Sequence, residues 1–340
     1  MIKLIATDVD GTLVKDGTLL IDPEYMTVVS RLVDQGIHFV VCSGRQFSSE
    51  QKLFAPIKDR LLYISDGGTV VRTPEKILKT YPMETALWKS MCRMVHDKLP
   101  SCDCFAEDAG SRMFHWLRDS YGFDVREVPD LSKVENEDII KFTIYHPTSC
   151  EELCSPNFIP AWKHQAKLAV AGKEWLDCNA RGVSKWTGLS FLMNYFGLTP
   201  DEVCCFGDNL NDLPMFRVAD ECYAVANARP ELKAAATGVI GSNVEMGVPR
   251  FLRKTPLPAV LGERGAAGFE NVFEGNDKPV LNQKIQASYT DAWIFNSLFL
   301  YSTPCGAMPI ANSTAIATRT TSSEMMNPCS IGFAPERQRG

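Results

Sequence analysis

The 340-residue sequence predicts an α/β protein, a doubly wound parallel sheet with a smaller α+β unit inserted into it. Three observations carry that expectation. Short apolar runs each end in polar residues and glycine. Helical patterns alternate with those runs. Between about residues 83 and 181 the alternation lapses and strand-like runs dominate.

Taken in order, the first run, Leu4–Thr7, leads into Asp8. Asp22-Pro23 then reads as a helix N-cap followed by proline at the first helical position; Met26, Val29, Leu32 and Val33 mark one face, and Gly36 ends the helix. Ile37–Cys42 leads into Ser43-Gly44-Arg45, and Leu61–Ser65 into Asp66-Gly67-Gly68. After Lys185, the residues Leu189, Leu192, Met193 and Phe196 mark a second helix that stops at Gly197, and Val203–Phe206 leads into Gly207-Asp208. Continuous apolar runs of this length are strands buried on both faces, because a central parallel strand is covered above and below by helices. Alternation with helices makes the core Rossmann-like, and ligands gather beyond the carboxyl ends of such strands. All four polar clusters fall there.

The segment 83–181 holds Trp88, Trp116, Trp162 and Trp175 and four of the five histidines. It combines a helical stretch, Glu84 to Lys98, with strand-like runs at Ile139–Tyr145 and Lys167–Ala171. The expected organisation is a discontinuous core domain (1–82 and 182–254) and an inserted domain (83–181); the alternative is that the insert continues the same sheet. Residues 255–340 carry only 13 of the 76 charged residues and have no helical or strand period. They are expected to form an irregular or disordered tail.

A net charge of −6 argues against a nucleic-acid partner, whose binding would need a cationic surface. It leaves small anionic substrates open. The N-terminus meets Lys3 and Asp8 too early for a signal-peptide core, and the uncharged stretch Ala292–Thr318 is broken by Pro304, Gly306 and Pro309. No membrane span, a cytoplasmic location and reduced thiols are therefore expected. None of the 12 cysteines forms Cys-x-x-Cys, so neither a structural zinc site nor a disulfide framework is expected.

The chemistry begins at Asp8-Val9-Asp10-Gly11-Thr12. Two carboxylates at i and i+2 after a strand repel each other unless a cation or a reaction requires them. A calcium loop is excluded, since Thr12 replaces the third acidic ligand and Leu19 the closing Glu. A plain Asp-Gly turn remains open on this motif alone. A second acidic group, Asp208-Asn209-Leu210-Asn211-Asp212, shifts the balance. If it faces the first, four carboxylates meet one cation, Lys185, and the excess charge calls for a divalent ion with oxygen ligands, Mg²⁺. Ser43, the Gly44 amide and Lys185 would grip a phosphate. Asp8 is ionised at neutral pH and can attack directly; Asp10 would protonate the leaving oxygen and then deprotonate the hydrolytic water.

Together Asp8-x-Asp10-Gly11-Thr12, Ser43-Gly44-Arg45, Lys185 and Gly207-Asp208-x-x-Asn211-Asp212 resemble the four motifs of the haloacid dehalogenase (HAD) superfamily, most closely its Cof-type sugar-phosphate phosphatases. The resemblance covers residues 1–253. It implies Asp8 as nucleophile and Asp10 as general acid/base. Mg²⁺ would be held by Asp8, the Asp10 backbone carbonyl and Asp208, with Asp212 supporting them or pairing with Lys185. Ser43, Gly44, Lys185 and Asn211 would bind phosphate, Arg45 would lie near the substrate, and Thr12 would support the site. The insert would be a cap domain that closes over the site, and the substrate a small phosphorylated metabolite. Asp66 stands where the family usually has Asn, Trp186 where a small residue follows the lysine, and Met246 replaces a common acidic residue. Two other readings share these motifs: a sugar phosphomutase, and a non-catalytic phosphate-binding protein. The aromatic residues of the insert are expected to be core, with stacking of a cofactor ring as the alternative.

Overall fold

In a computed structural model of the chain, residues 1–15, 18, 20–116, 126–135, 137–171 and 173–254 are described. The expected tail, 255–340, lies outside them. The strands are β1 (Leu4–Thr7), β2 (His38–Cys42), β3 (Leu62–Ser65), β4 (Val70–Arg72), β5 (Ile77–Thr80), β6 (Asp103–Asp108), β7 (Met113–Trp116), β8 (Arg126–Val128), β9 (Ile139–Tyr145), β10 (Ala166–Ala171), β11 (Trp175–Ala180), β12 (Val203–Gly207), β13 (Glu221–Val225) and β14 (Gly238–Ile240). The helices are α1 (Pro23–Asp34), α2 (Phe47–Leu53), α3 (Thr85–Lys98), α4 (Cys150–Cys154), α5 (Phe158–Trp162), α6 (Lys185–Phe196), α7 (Leu213–Phe216), α8 (Pro230–Ala235) and α9 (Gly247–Lys254).

The first sheet runs β14-β13-β12-β1-β2-β3-β4-β5. Its strands from β14 to β3 are parallel, and the four apolar runs occupy its middle, buried except at His38. This is the expected doubly wound parallel core, to whose edge β4 and β5 are added antiparallel. The links 66–69 and 73–76 are too short for the crossover helix that a parallel neighbour demands. Successive strands add to one side of β1 as far as β3, and β12 to β14 lie on the other, so the order switches between β1 and β12. At such a switch point diverging loops leave a crevice.

The α1 N-cap is Asp22, whose carboxylate accepts from the Glu24 amide at 2.8 Å. Its buried face is Tyr25, Val28, Val29 and Leu32, rotated from the expected one so that Met26 and Val33 only flank the core. Tyr25 carries enough apolar ring to lead the face. In α6 a Ser184/Thr187 capping box starts the helix, and Gly197 in the left-handed region (φ +66°) ends it.

A second sheet, β10-β11-β9-β6-β7-β8, is antiparallel apart from β7 and β8. Period-2 alternation divides its faces. Ala106, Phe114, Phe142, Ile144, Leu176 and Cys178 pack with Trp88, Met91 and Val95 of α3 and with Cys150, Cys154 and Phe158 of α4 and α5. The residues between them point the other way. The ten described cysteines are free and buried. Among the described residues, no helix is long and apolar enough to cross a membrane.

Candidate active site

The parallel pairing of β1 with β12 brings two distant acid motifs together. The Asp8 amide donates to the Phe206 carbonyl at 3.0 Å, so Asp8 and Asp208 leave the sheet from neighbouring strand ends. Two glycines permit the approach. Gly11 has φ +81°, and a Cβ on it would lie 2.2 Å from Asp208 Oδ2; one on Gly207 would lie 2.6 Å from Asp212 Cβ. The Asn227 amide nitrogen donates to the Gly11 carbonyl at 2.7 Å and fixes the turn.

Asp8, Asp208 and Asp212 each place an oxygen within 4.8 Å of the others. The buried Thr12 hydroxyl lies 3.2 Å from Asp8 Oδ2 and 3.1 Å from Asp208 Oδ1, tying the two motifs. Lys185, buried at the start of α6, donates from Nζ to Asp8 Oδ1 and, at 2.6 Å, to Asp212 Oδ1. The other Asp212 oxygen accepts from the amides of Asp208 at 3.0 Å and Asn209 at 3.1 Å.

Burial pushes the Asp8 carboxyl well above the ordinary carboxylate range; Lys185 opposes this, and Asp212 and Asp208 add to it. Asp208 is pushed up to about 6 by burial and the Asp212 charge. Burial works to lower Lys185, but Asp212 and Asp8 outweigh it and hold the ammonium above its ordinary range. Three acids against one ammonium, all offering oxygen donors, fit a hard divalent cation, which would let the acids ionise together.

Asp10 departs from the convergence of four carboxylates. Its carboxylate is held in a fork by the buried Arg45, Nε to Oδ2 at 2.7 Å and Nη2 to Oδ1 at 2.6 Å, and the same Nη2 donates to the Thr18 carbonyl at 2.6 Å. Strand alternation would have kept the i and i+2 acids on one side, but β1 ends at Thr7 and the chain turns at Gly11. Three carboxylates therefore gather, and the fourth pairs with Arg45.

Ser43 is buried at the end of β2, its hydroxyl accepting from the Arg45 amide at 3.1 Å, and Gly44 is exposed beside it. Asn211 is exposed in the loop before Asp212. The loop 66–68 is clamped on both sides. Asp66 and Gly67 donate from their amides to Arg45 O and Ser43 O at 2.8 and 2.9 Å, and a Cβ on Gly68 (φ +110°) would lie 1.9 Å from Ser184 O.

Sequence reasoning missed the second sheet's contribution. Lys141 of β9 reaches across to the loop, 2.5 Å from Asp66 Oδ1 and 3.0 Å from Glu107 Oε2 of β6, with all three side chains buried. Burial and Asp66 push the Glu107 carboxyl up to about 8. A signal was present in Ile139-Ile140-Lys141-Phe142-Thr143-Ile144-Tyr145, where alternation puts Lys141, Thr143 and Tyr145 on the face away from the apolar core.

An acid cluster at the switch point of a parallel sheet, under a second sheet that reaches down to it, is the plan of a hydrolytic enzyme on an α/β core. The chain belongs to the haloacid dehalogenase-like hydrolase family, whose profile it matches over residues 5–252. It is similar to a Eubacterium rectale protein with a crystal structure at 1.80 Å resolution: 63% identity, 74% of this chain and 98% of that one covered, TM-score 0.69. It is 26% identical over 287 residues to 5-amino-6-(5-phospho-D-ribitylamino)uracil phosphatase YwtE of Bacillus subtilis, covering 74% of this chain and 96% of that protein. With the phosphatase of that substrate named YbjI in Escherichia coli it shares 27% identity over 262 residues, 73% of this chain and 93% of the relative.

Proposed function

We propose that this phosphatase hydrolyses a small phosphomonoester with Mg²⁺ through an aspartyl-phosphate on Asp8. The observation that carries the reading is the meeting of Asp8, Asp208 and Asp212 around Lys185. Mg²⁺ would be held by the Asp8 and Asp208 carboxylates and the Asp10 carbonyl, and when bound it supplies positive charge to the phosphate oxygens. Ser43, the Gly44 amide, Lys185 and Asn211 bind those oxygens and align the phosphorus with Asp8. Lys185 also opposes the burial that favours the protonated form of Asp8, and the cation would complete its ionisation for attack.

As the Asp8 oxygen bonds to phosphorus, the ester bond breaks and Asp10 delivers a proton to the leaving oxygen. Asp10 then takes a proton from the water that attacks the aspartyl-phosphate, releasing phosphate and restoring Asp8. Arg45 orients Asp10 through its fork, while Thr12 and Asp212 hold Asp8, Asp208 and Lys185 in place. The segment 83–181 acts as the cap domain over a core of 1–82 and 182–254. The ribitylaminouracil phosphate named for the relatives is one substrate of the class this site would accept.

Purified protein assayed against a phosphomonoester panel, with Mg²⁺ and with chelator, tests the reading. Phosphate release should require the metal and vanish in Asp8→Asn while the melting curve is retained. Release by Asp8→Asn at the parent rate would overturn the assignment.

A further inference from the structure

The roof of the crevice can be read from the register of the second sheet. Lys167, Asn179, Lys141, Glu107 and Met113 are direct partners across β10, β11, β9, β6 and β7 and so share one face. That face is turned to the site loops: Lys141 meets Asp66, and Met113 accepts from the Gln46 side chain at 3.4 Å.

Lys167 stands at the end of this row. Its Nζ lies 3.8 Å from where a Cβ on Gly67 would sit. The Gly67 amide is bonded to Ser43 O, and Gly68 is wedged against the start of Lys185. The ammonium of Lys167 therefore hangs over the junction of the loops that carry Ser43 and Lys185. Lys141 is paired with Asp66 and Glu107, while Asp177, in the next row, accepts from the Thr143 hydroxyl at 2.8 Å and attracts Lys167 without pairing with it. Among the described residues no carboxylate lies within ion-pair distance of Lys167. Burial and repulsion from Lys185 lower it to about 8, against the pull of Asp177. A half-buried ammonium beside a second one, with no carboxylate in contact, gains from an anion placed against it.

We propose that Lys167 is a specificity residue that receives an anionic group on the alcohol half of the substrate, so that the enzyme selects phosphomonoesters bearing a second negative group, a carboxylate or another phosphate. The inference rests on the phosphatase reading above.

The test uses matched pairs that differ only in that group: glycerol phosphate against phosphoglycerate, and a hexose phosphate against its phosphohexonate. The wild-type chain with Mg²⁺ should favour the charged member of a pair in kcat/KM by about tenfold to a hundredfold, the range of one charge-assisted hydrogen bond. Lys167→Met should bring the ratio close to one, and Lys167→Arg should keep it. Circular dichroism checks that both variants fold, and the wild-type ratio needs no variant. A wild-type ratio near one, or a ratio that Lys167→Met leaves unchanged, overturns the assignment; the second result would mean that Lys167 touches only the transferred phosphate. Failure to hydrolyse any phosphomonoester, p-nitrophenyl phosphate included, overturns the phosphatase reading itself. Turnover of p-nitrophenyl phosphate without preference in either pair overturns the Lys167 assignment alone.

Discussion

Asp66→Asn, Glu107→Gln and the double variant probe the buried charge that joins the two sheets. Lys141 lies between the two acids, 2.5 Å from Asp66 and 3.0 Å from Glu107. One ammonium cannot balance two buried carboxylates, so Glu107 keeps its proton up to about pH 8 and the trio is neutral at pH 7. Removing the Asp66 charge lets Glu107 ionise and take over the pairing, at a cost of about 1 kcal/mol for one lost hydrogen bond. Replacing protonated Glu107 by Gln costs about the same. The double variant leaves Lys141 buried with no carboxylate in contact and only the more distant Asp177 charge, and its loss should reach about 3–5 kcal/mol, well beyond the sum of the single changes. Adding Lys141→Met should recover much of that loss, because an apolar side chain has no charge to desolvate. Urea unfolding at pH 7 measures all four proteins. A double variant equal to the sum of its parts within about 0.5 kcal/mol would refute the shared-charge account.

Two further outcomes follow from the site and from the second sheet. Gly11→Ala would force a Cβ to within 2.2 Å of Asp208 Oδ2 at a φ of +81°, so phosphatase activity should fall at least about a hundredfold, as expected of a misplacement near 1 Å; parent-level turnover would show that Asp8 and Asp208 need not approach as closely as described. His115, stacked on Phe105 at 4.3 Å, is lowered from 6.5 to about 4 by burial. Between those values the unfolded chain binds more protons than the folded one, so stability falls as the pH falls. The loss should be about 2 kcal/mol from pH 7 to pH 5. His115→Phe should remove that acid limb in pH-dependent unfolding, and an unchanged limb would assign it to other groups.

Much of this protein was legible in the chain itself, since its signals are local. Continuous burial of Leu4–Thr7 and Val203–Phe206, the Asp22-Pro23 start of α1 and the Gly197 stop of α6 each depend on residues within a turn or two. The acid and lysine motifs were equally plain, because each sits where a strand or helix must begin or end. What only the tertiary structure decided were contacts between residues far apart. Neither strand switch nor sheet order is written in any one segment, yet together they put Asp208 beside Asp8 and turned Asp10 to Arg45. In the sequence Lys141 and Lys167 are single charged positions in strand-like runs. They became part of the crevice only when the register of the second sheet aligned them over Asp66 and Gly67. Side-chain direction follows from a period of two, but what stands opposite depends on how two sheets pack, and that is settled by burial summed over the whole chain.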